Sequence, residues 1–294
     1  PVFAIASIIN MTARGRTSLK RISSLLDEKV EIADDGQIII PEEDFKGGIK
    51  FNNFNFAYPD DPEVNVLKNI NFEIKPGETV GIVGKIGCGK STLVNMLFRL
   101  YNVEKGTLFL DGHDIMSLPI KLVRSNIGYA PQDNFLFSDT IKKNIAFSND
   151  NLTEEEVSNA AEFSAVRDNI EEFQDKYQTM IGERGVTLSG GQKQRISISR
   201  AVVKDPAILV LDDSVSAVDI KTEETILRNI RRLRKGKTTI LIASRVSTVE
   251  KLDKVLVLNN GELEYFGTNK ECLANSPTYK RMVELQTLES ELEG

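Results

Sequence analysis

The sequence has no apolar run of the roughly 18 residues that a membrane-spanning helix needs, so no segment reads as crossing a bilayer on its own. It has two cysteines, Cys88 and Cys272, far apart and in no C-x-x-C pair. That excludes a disulfide framework and a thiolate metal site, and it fits a reducing, cytosolic compartment. The start has no basic n-region and no small-residue cleavage site, so no secretory signal is expected. Positive charge is not in excess: 37 Lys and Arg against 43 Asp and Glu give a formal charge of -6 and a pI of about 5.2. A nucleic-acid binder normally presents a basic face, so nucleic acid is not an expected partner. The one basic cluster, Arg231-Arg232-Leu233-Arg234-Lys235, closes a helical stretch, where cations suit the helix dipole. The single histidine, His113, sits in Asp111-Gly112-His113-Asp114, which reads as a turn with the imidazole exposed.

What is present is enough for a core. A chain of 294 residues with 40% hydrophobic residues makes one large domain or two small ones. Pro1 to Met11 is too apolar for a free terminus and too short to cross a membrane; it reads as the last turns of a transmembrane helix, with an ordinary surface helix as the alternative. Residues 3–28 form one long helix by pattern, with Ile8, Met11, Leu19, Ile22, Leu25 and Leu26 in a loose stripe. The stretch from Asp34-Asp35-Gly36 to Pro41-Glu42-Glu43-Asp44 is an acidic, turn-rich linker, so residues 1–45 are set apart and a compact domain begins at about residue 46.

Within that domain, Ile49 to Ile74 reads as short strands, and Thr79 to Val83 is a buried strand running into glycine. Lys90 to Leu100 reads as a helix, as do residues 152–174. Ile208–Leu211 and Thr239–Ile242 are β-branched apolar runs of the kind found in parallel strands covered on both faces. Val255–Leu258 and Glu262–Phe266, joined at Asn259-Asn260-Gly261, read as a hairpin. The alternation predicts an α/β fold, with residues 134–200 as a helical insert. No internal repeat or low-complexity segment interrupts it.

The strongest chemical signal is Gly84-Lys85-Ile86-Gly87-Cys88-Gly89-Lys90-Ser91, which fits G-x-x-x-x-G-K-[ST] at every required position, after a strand and before a helix. Glycines let backbone N–H groups curl round a phosphate, and the helix start adds positive potential. Lys90 would reach the β- and γ-phosphates and the Ser91 hydroxyl would ligate Mg²⁺, with Thr92 beside it. Cys88 is either a small spacer or a thiol made acidic by the helix start, whose alkylation would block the loop. Downstream, Ile208-Leu209-Val210-Leu211-Asp212 is an apolar strand ending in a carboxylate able to hold Mg²⁺ through water.

Leu188-Ser189-Gly190-Gly191-Gln192, taken with Asp212 and the phosphate loop, closely resembles the ABC ATPases, above all those of exporters, over about residues 47–288. By itself this stretch is an N-cap serine with bare glycine amides, a second anion site for which one chain has no second phosphate. The resemblance implies a P-loop NTPase core with an antiparallel β subdomain and a helical insert. It implies MgATP as ligand, and head-to-tail pairing in which each signature closes over the other domain's ATP. It further implies a transmembrane domain in the same chain, and a place on the cytoplasmic face of the cell membrane.

Other positions carry over singly. Tyr58, in Phe56-Ala57-Tyr58-Pro59, matches the aromatic that stacks on adenine, with core packing as its alternative. Gln132, in Tyr129-Ala130-Pro131-Gln132, matches the glutamine that touches Mg²⁺ and senses the membrane domain. Ser216-Ala217-Val218-Asp219 matches the D-loop. Glu183-Arg184-Gly185 resembles the segment that meets coupling helices, or is a solvated pair.

Two catalytic positions depart from the family pattern. Asp213 stands where Glu usually polarises the attacking water, and Ser244 stands where His usually holds the γ-phosphate. An Asp carboxylate falls about an angstrom short of a Glu carboxylate, and misplacement on that scale costs on the order of 10²-fold in rate. The expectation is a site that holds ATP and hydrolyses it slowly, like the degenerate half of heterodimeric exporters, with a partner subunit that carries the Glu and the His. A homodimeric exporter with slow ATPase, and a soluble ABC ATPase outside transport, are the competing readings. The transported substrate is not legible.

Overall fold

The computed structural model of the chain describes residues 1–28, 30–34, 38, 40–41, 44–149, 151–182, 188–215 and 218–293. Of the expectations above, Asp35, Gly36, Glu42, Glu43, Glu183, Arg184, Gly185, Ser216 and Ala217 lie outside the described residues. The chain divides into two compact units, Pro1–Ala33 and Asp34–Gly294. The first is a single helix, α1 (Val2–Leu26), with none of its residues buried; its apolar stripe, Ile8 to Leu26, faces solvent. No helix among the described residues is long and apolar enough to cross a membrane.

The second unit runs, in chain order, through β1 (Ile49–Ala57), β2 (Asn65–Ile74), β3 (Thr79–Val83), α2 (Lys90–Leu97), β4 (Leu108–Leu110), β5 (His113–Asp114), α3 (Ile120–Ser125) and β6 (Ile127–Ala130). It continues through α4 (Ile141–Ile145), α5 (Glu154–Phe163), α6 (Arg167–Glu171), α7 (Gly190–Val202), β7 (Ile208–Asp212), α8 (Ile220–Leu233), β8 (Thr238–Ile242) and α9 (Val246–Val249). It closes with β9 (Lys254–Asn259), β10 (Glu262–Gly267), α10 (Asn269–Asn275) and α11 (Pro277–Glu293).

Two sheets result. One has the order β2-β1-β4-β5 and is antiparallel; the other has the order β10-β9-β3-β8-β7-β6, parallel except for the β9–β10 hairpin. Every residue of β7 and β8 is buried, as apolar strands covered on both faces must be. In β2, Ile70, Phe72 and Ile74 turn inward while Asn71 and Glu73 face water, and Phe72 stacks on its register partner Phe51 at 4.8 Å. That aromatic face joins α2 in one core, the opposite face of the parallel sheet packs under α8 and α11 in a second, and α4 to α7 enclose a third. The fold is therefore mixed α/β, with an antiparallel β layer and a helical region between β6 and β7.

Four local expectations need correction. The helix from Lys90 ends at Leu97 rather than Leu100, because Arg99 takes a left-handed φ of 48° and buries its guanidinium, which donates to the Leu118 carbonyl at 3.0 Å. The acidic stretch 152–174 is two short helices, broken where Ala165 has φ 56°. His113 is half-buried at the start of β5; the turn is only Asp111-Gly112, both at positive φ. Strands β4 and β6 were not foreseen at all.

Candidate functional site

The loop from Gly84 to Gly89 leaves the middle of the parallel sheet, where β3 lies between β8 and β9. Two of its glycines are required by contact as well as by φ. A Cβ on Gly84, at φ 154°, would lie 2.2 Å from the Leu258 carbonyl oxygen, and one on Gly89, at φ 100°, would lie 2.9 Å from a Leu67 methyl. Gly89 caps α2 without a side chain, so the first-turn N–H groups of that helix stay open to an anion. Lys90 bends back over the loop, its Nζ donating to the Gly84 and Lys85 carbonyls at 2.9 and 3.1 Å. The ammonium is thus already held above the ring of amides. Ile86 is fully exposed at the loop tip.

Cys88 points the other way. It is buried, and burial pushes its thiol pKa up, outweighing the Lys90 charge and backbone N–H groups that would lower it. Burial thus opposes the acidifying effect of the helix start considered above.

Strand β7 delivers Asp212 to the floor of the same cleft. Its buried carboxylate accepts from the Tyr129 hydroxyl at 3.3 Å and from the Ser91 hydroxyl. Burial raises its pKa, with those two hydrogen bonds opposing, so an added positive charge would be accommodated well there. Tyr129 is pushed up in turn, by burial first and then by the Asp212 charge. Asp213 follows at φ 47°, its N–H tied to the Ile242 carbonyl at 3.0 Å. Because Asp212 and Ile242 are register partners on β7 and β8, Asp213 and Ser244 emerge side by side at the carboxyl ends of the strands. There the Ser244 hydroxyl reaches the Asp213 carboxylate at 3.5 Å, a long contact.

These groups line a single cleft of about 760 Å³: residues 84–87 and 89–92, with Tyr58, Gln132, Asp212, Asp213 and Ser244. It lies at the carboxyl edge of a parallel sheet, the usual place for a ligand in such folds. The Tyr58 hydroxyl shares a hydrogen bond with Thr92 Oγ1 at 2.8 Å, and its ring packs edge-on to Phe56 and Tyr101. Three further wall residues, Val66, Ile242 and Met282, were not foreseen as part of the site. Met282 falls three residues after the fully buried Tyr279 on α11, a helical spacing that could have flagged it.

Leu188, Ser189, Gly190, Gly191 and Gln192 do not line this cleft. Leu188 is buried as an anchor and Ser189 caps α7 in a reciprocal box: the Gln192 N–H donates to Ser189 Oγ at 3.2 Å, and the Ser189 N–H to the Gln192 side chain at 2.9 Å. Gly190 has open space round it. The signature thus presents a capped, glycine-bared helix start away from this chain's own phosphate loop.

The family model described as ABC transporter matches residues 67–216, from β2 through the phosphate loop and signature to just past Asp213. The chain belongs to the ABC transporter family. The whole chain is 42% identical to half of the Bacillus subtilis "Probable multidrug resistance ABC transporter ATP-binding/permease protein YheI". Over 96% of its length it is 41% identical to 42% of the Arabidopsis thaliana "ABC transporter B family member 24, mitochondrial". The solved "Structure of a bacterial Atm1-family ABC exporter with ATP bound" matches 94% of the chain, and 48% of its own, with a TM-score of 0.86 and 37% identity. The chain spans about half or less of each of these proteins. It is an ABC transporter ATPase domain with the P-loop NTPase fold.

The donor set of this ABC domain fits Mg²⁺ held beside phosphates: hard oxygens on Ser91, Asp212 and Gln132 round one cleft. Among the described residues no cluster of three or more His, Cys, Asp or Glu forms a cage for a metal. Phosphate and water would complete the coordination, as Mg²⁺ prefers.

Proposed function

We propose that this ABC domain is the motor of a membrane exporter, that it binds MgATP through Gly84 to Thr92, and that its own site turns ATP over slowly. It pairs head to tail with a second ABC domain of a different subunit, and its Leu188–Gln192 signature serves that partner's ATP. Its relatives are named ATP-binding/permease proteins and exporters, which supports a transmembrane domain in the same protein and a place at the cytoplasmic face of a membrane. Pro1 to Met11 is then the end of a membrane helix, and residues 46–294 are the ATP-binding part.

The shared cleft supports a role for each residue. Lys90 and the loop amides grip the polyphosphate, and Tyr58 flanks the base. Ser91, Asp212 and Gln132 hold Mg²⁺, which when bound neutralises charge on the phosphate oxygens. The observation that carries the slow-turnover reading is the pair Asp213 and Ser244. They stand where a base and a phosphate-holding imidazole would be needed, and they reach each other only across 3.5 Å. Asp213 is about a methylene short of a water attacking the γ-phosphate, and Ser244 offers no charge to the developing oxyanion. Together these omissions account for a deficit on the order of 10²–10⁴-fold.

ATP titration and steady-state hydrolysis test this on the wild-type chain and on Asp213→Glu/Ser244→His. Both should bind MgATP comparably, and the double change should hydrolyse it at least about 10²-fold faster. Fast wild-type turnover, or a double variant no faster than wild type, overturns the reading.

A further inference from the structure

Helix α11 reaches the cleft although none of the sequence motifs includes it. Tyr279, Met282, Val283 and Gln286 recur at helical spacing and so share a face. Tyr279 is fully buried, Met282 and Val283 pack against the core, and Met282 also lines the nucleotide cleft. Gln286 is the polar member of that face, and its amide bridges the turn between β8 and α9. Its Nε2 donates to the Ser244 carbonyl at 3.1 Å and its Oε1 accepts from the Val246 N–H at 2.7 Å.

The bridge replaces something the turn lacks. α9 begins at Val246 with no side-chain cap of its own, since the residue before it is Arg245. Gln286 supplies an acceptor to one of the open N–H groups of that start. A primary amide can satisfy a carbonyl and an N–H at once in one orientation only, which fixes the backbone on both sides of Arg245. On the opposite side, Arg245 pairs at 3.6 Å with Glu223 of α8, a buried carboxylate that also accepts from the Thr248 hydroxyl. The turn is tied to α8 through Arg245 and to α11 through Gln286.

From this geometry we infer that Gln286 is a positioning residue for the catalytic cleft. It sets where the side chain at position 244 stands against Asp213 and the phosphate loop, and so makes α11 part of the site's support. The inference rests on the reading of this cleft as the nucleotide site. Gln286 touches no reacting atom; it acts through the backbone of residues 244–246.

The test uses a nitroxide at Ser244→Cys, an exposed position, while Cys88 and Cys272 are both buried and resist labelling. Electron paramagnetic resonance should show a restricted label that becomes more mobile when Gln286→Ala is added. Gln286→Glu, which keeps the acceptor and loses the donor, should give an intermediate spectrum. A label at Lys121→Cys, exposed and on α3, should keep its spectrum in every background. In Asp213→Glu/Ser244→His, adding Gln286→Ala should lower kcat by about tenfold and leave KM for ATP within about twofold, because orientation and not uniform binding is lost. Unchanged spectra at position 244, equal loosening at position 121, or a loss carried by KM each overturns the positioning role. ATP titration of the wild-type chain judges the nucleotide reading separately: absence of binding would sink that reading, while the spectra would still decide whether Gln286 orders the turn.

Discussion

Lys90 shows how much of the site is already assembled by the fold. Its ammonium donates to two backbone carbonyls of the loop, so its position is set by the same bend that bares the amides. Removing the side chain should leave the bend intact, because Gly84 and Gly89 hold it by close approach to Leu258 and Leu67. Lys90→Ala is therefore expected to melt within a few degrees of wild type while losing on the order of 10²-fold in MgATP affinity, the worth of one charge-assisted contact of about 3 kcal/mol. Calorimetric titration checks it, and undiminished affinity would remove the nucleotide reading. At this scale the sequence was most informative. The spacing of Gly84, Gly89, Lys90 and Ser91 encodes a local geometry, and local geometry is what short motifs record. Cys88 was not legible in the same way, since whether its thiol is acidic depends on its burial in the core, which packing from distant parts of the chain sets.

Elements were legible where their period was strong and illegible where tertiary packing set them. β7 and β8 announce themselves as apolar runs; β6 does not, because Ile127-Gly128-Tyr129-Ala130 has a glycine at its second position. The structure explains that glycine. A Cβ at Gly128 would lie 2.1 Å from the Ala201 carbonyl oxygen on α7 and 2.7 Å from the Pro206 ring. Helix α7, which carries the signature at its start, sits directly on the backbone of β6, the strand that leads to Gln132. Gly128→Ala should therefore cost at least about 2 kcal/mol in urea unfolding, by overpacking, compared with about 1 kcal/mol for the cap removal Thr268→Ala. Equal losses would show that the β6–α7 contact has slack.

Another element-scale expectation concerns Glu264 on β10. Burial pushes its carboxyl up, but hydrogen bonds from Ser276, Thr278 and Asn259 outweigh burial and leave it below the ordinary carboxylate range. A depressed folded pKa adds stability above the unfolded value and forfeits it as pH falls through the folded one. Glu264→Gln should flatten the loss of stability between about pH 5 and pH 3, measured by urea midpoints, relative to wild type. An unchanged slope would mean that the β10–α11 junction does not sense this carboxylate.

The whole molecule presents an asymmetry that no single cleft resolves. The phosphate loop, Gly84 to Ser91, sits beside Asp212, whereas the capped helix start at Ser189 to Gln192 lies outside that cleft, with Ser189 and Gly190 exposed. That α11 reaches the cleft was not legible in the sequence: spacing can mark Met282 as inward-facing, but it follows the phosphate loop by nearly 200 residues, and only the folded sheet brings the two together. The signature was visible, yet under the proposed pairing its use would depend on a second chain. A substitution at Gly190 separates these scales. Nothing lies within 4 Å of a Cβ there, and the position is the first of α7, where an acidic side chain favours the helix dipole. Gly190→Asp should therefore leave this chain as stable as wild type, or slightly more so, and leave its own MgATP affinity unchanged. In a complex with a partner domain that carries the Glu and His, the same carboxylate would face the partner's γ-phosphate and repel it. Turnover of the complex should then fall by at least about 10²-fold, the cost of placing like charge at an oxyanion position. Loss of this chain's own ATP binding instead would mean that the signature acts in its own cleft, and the paired arrangement would have to be abandoned.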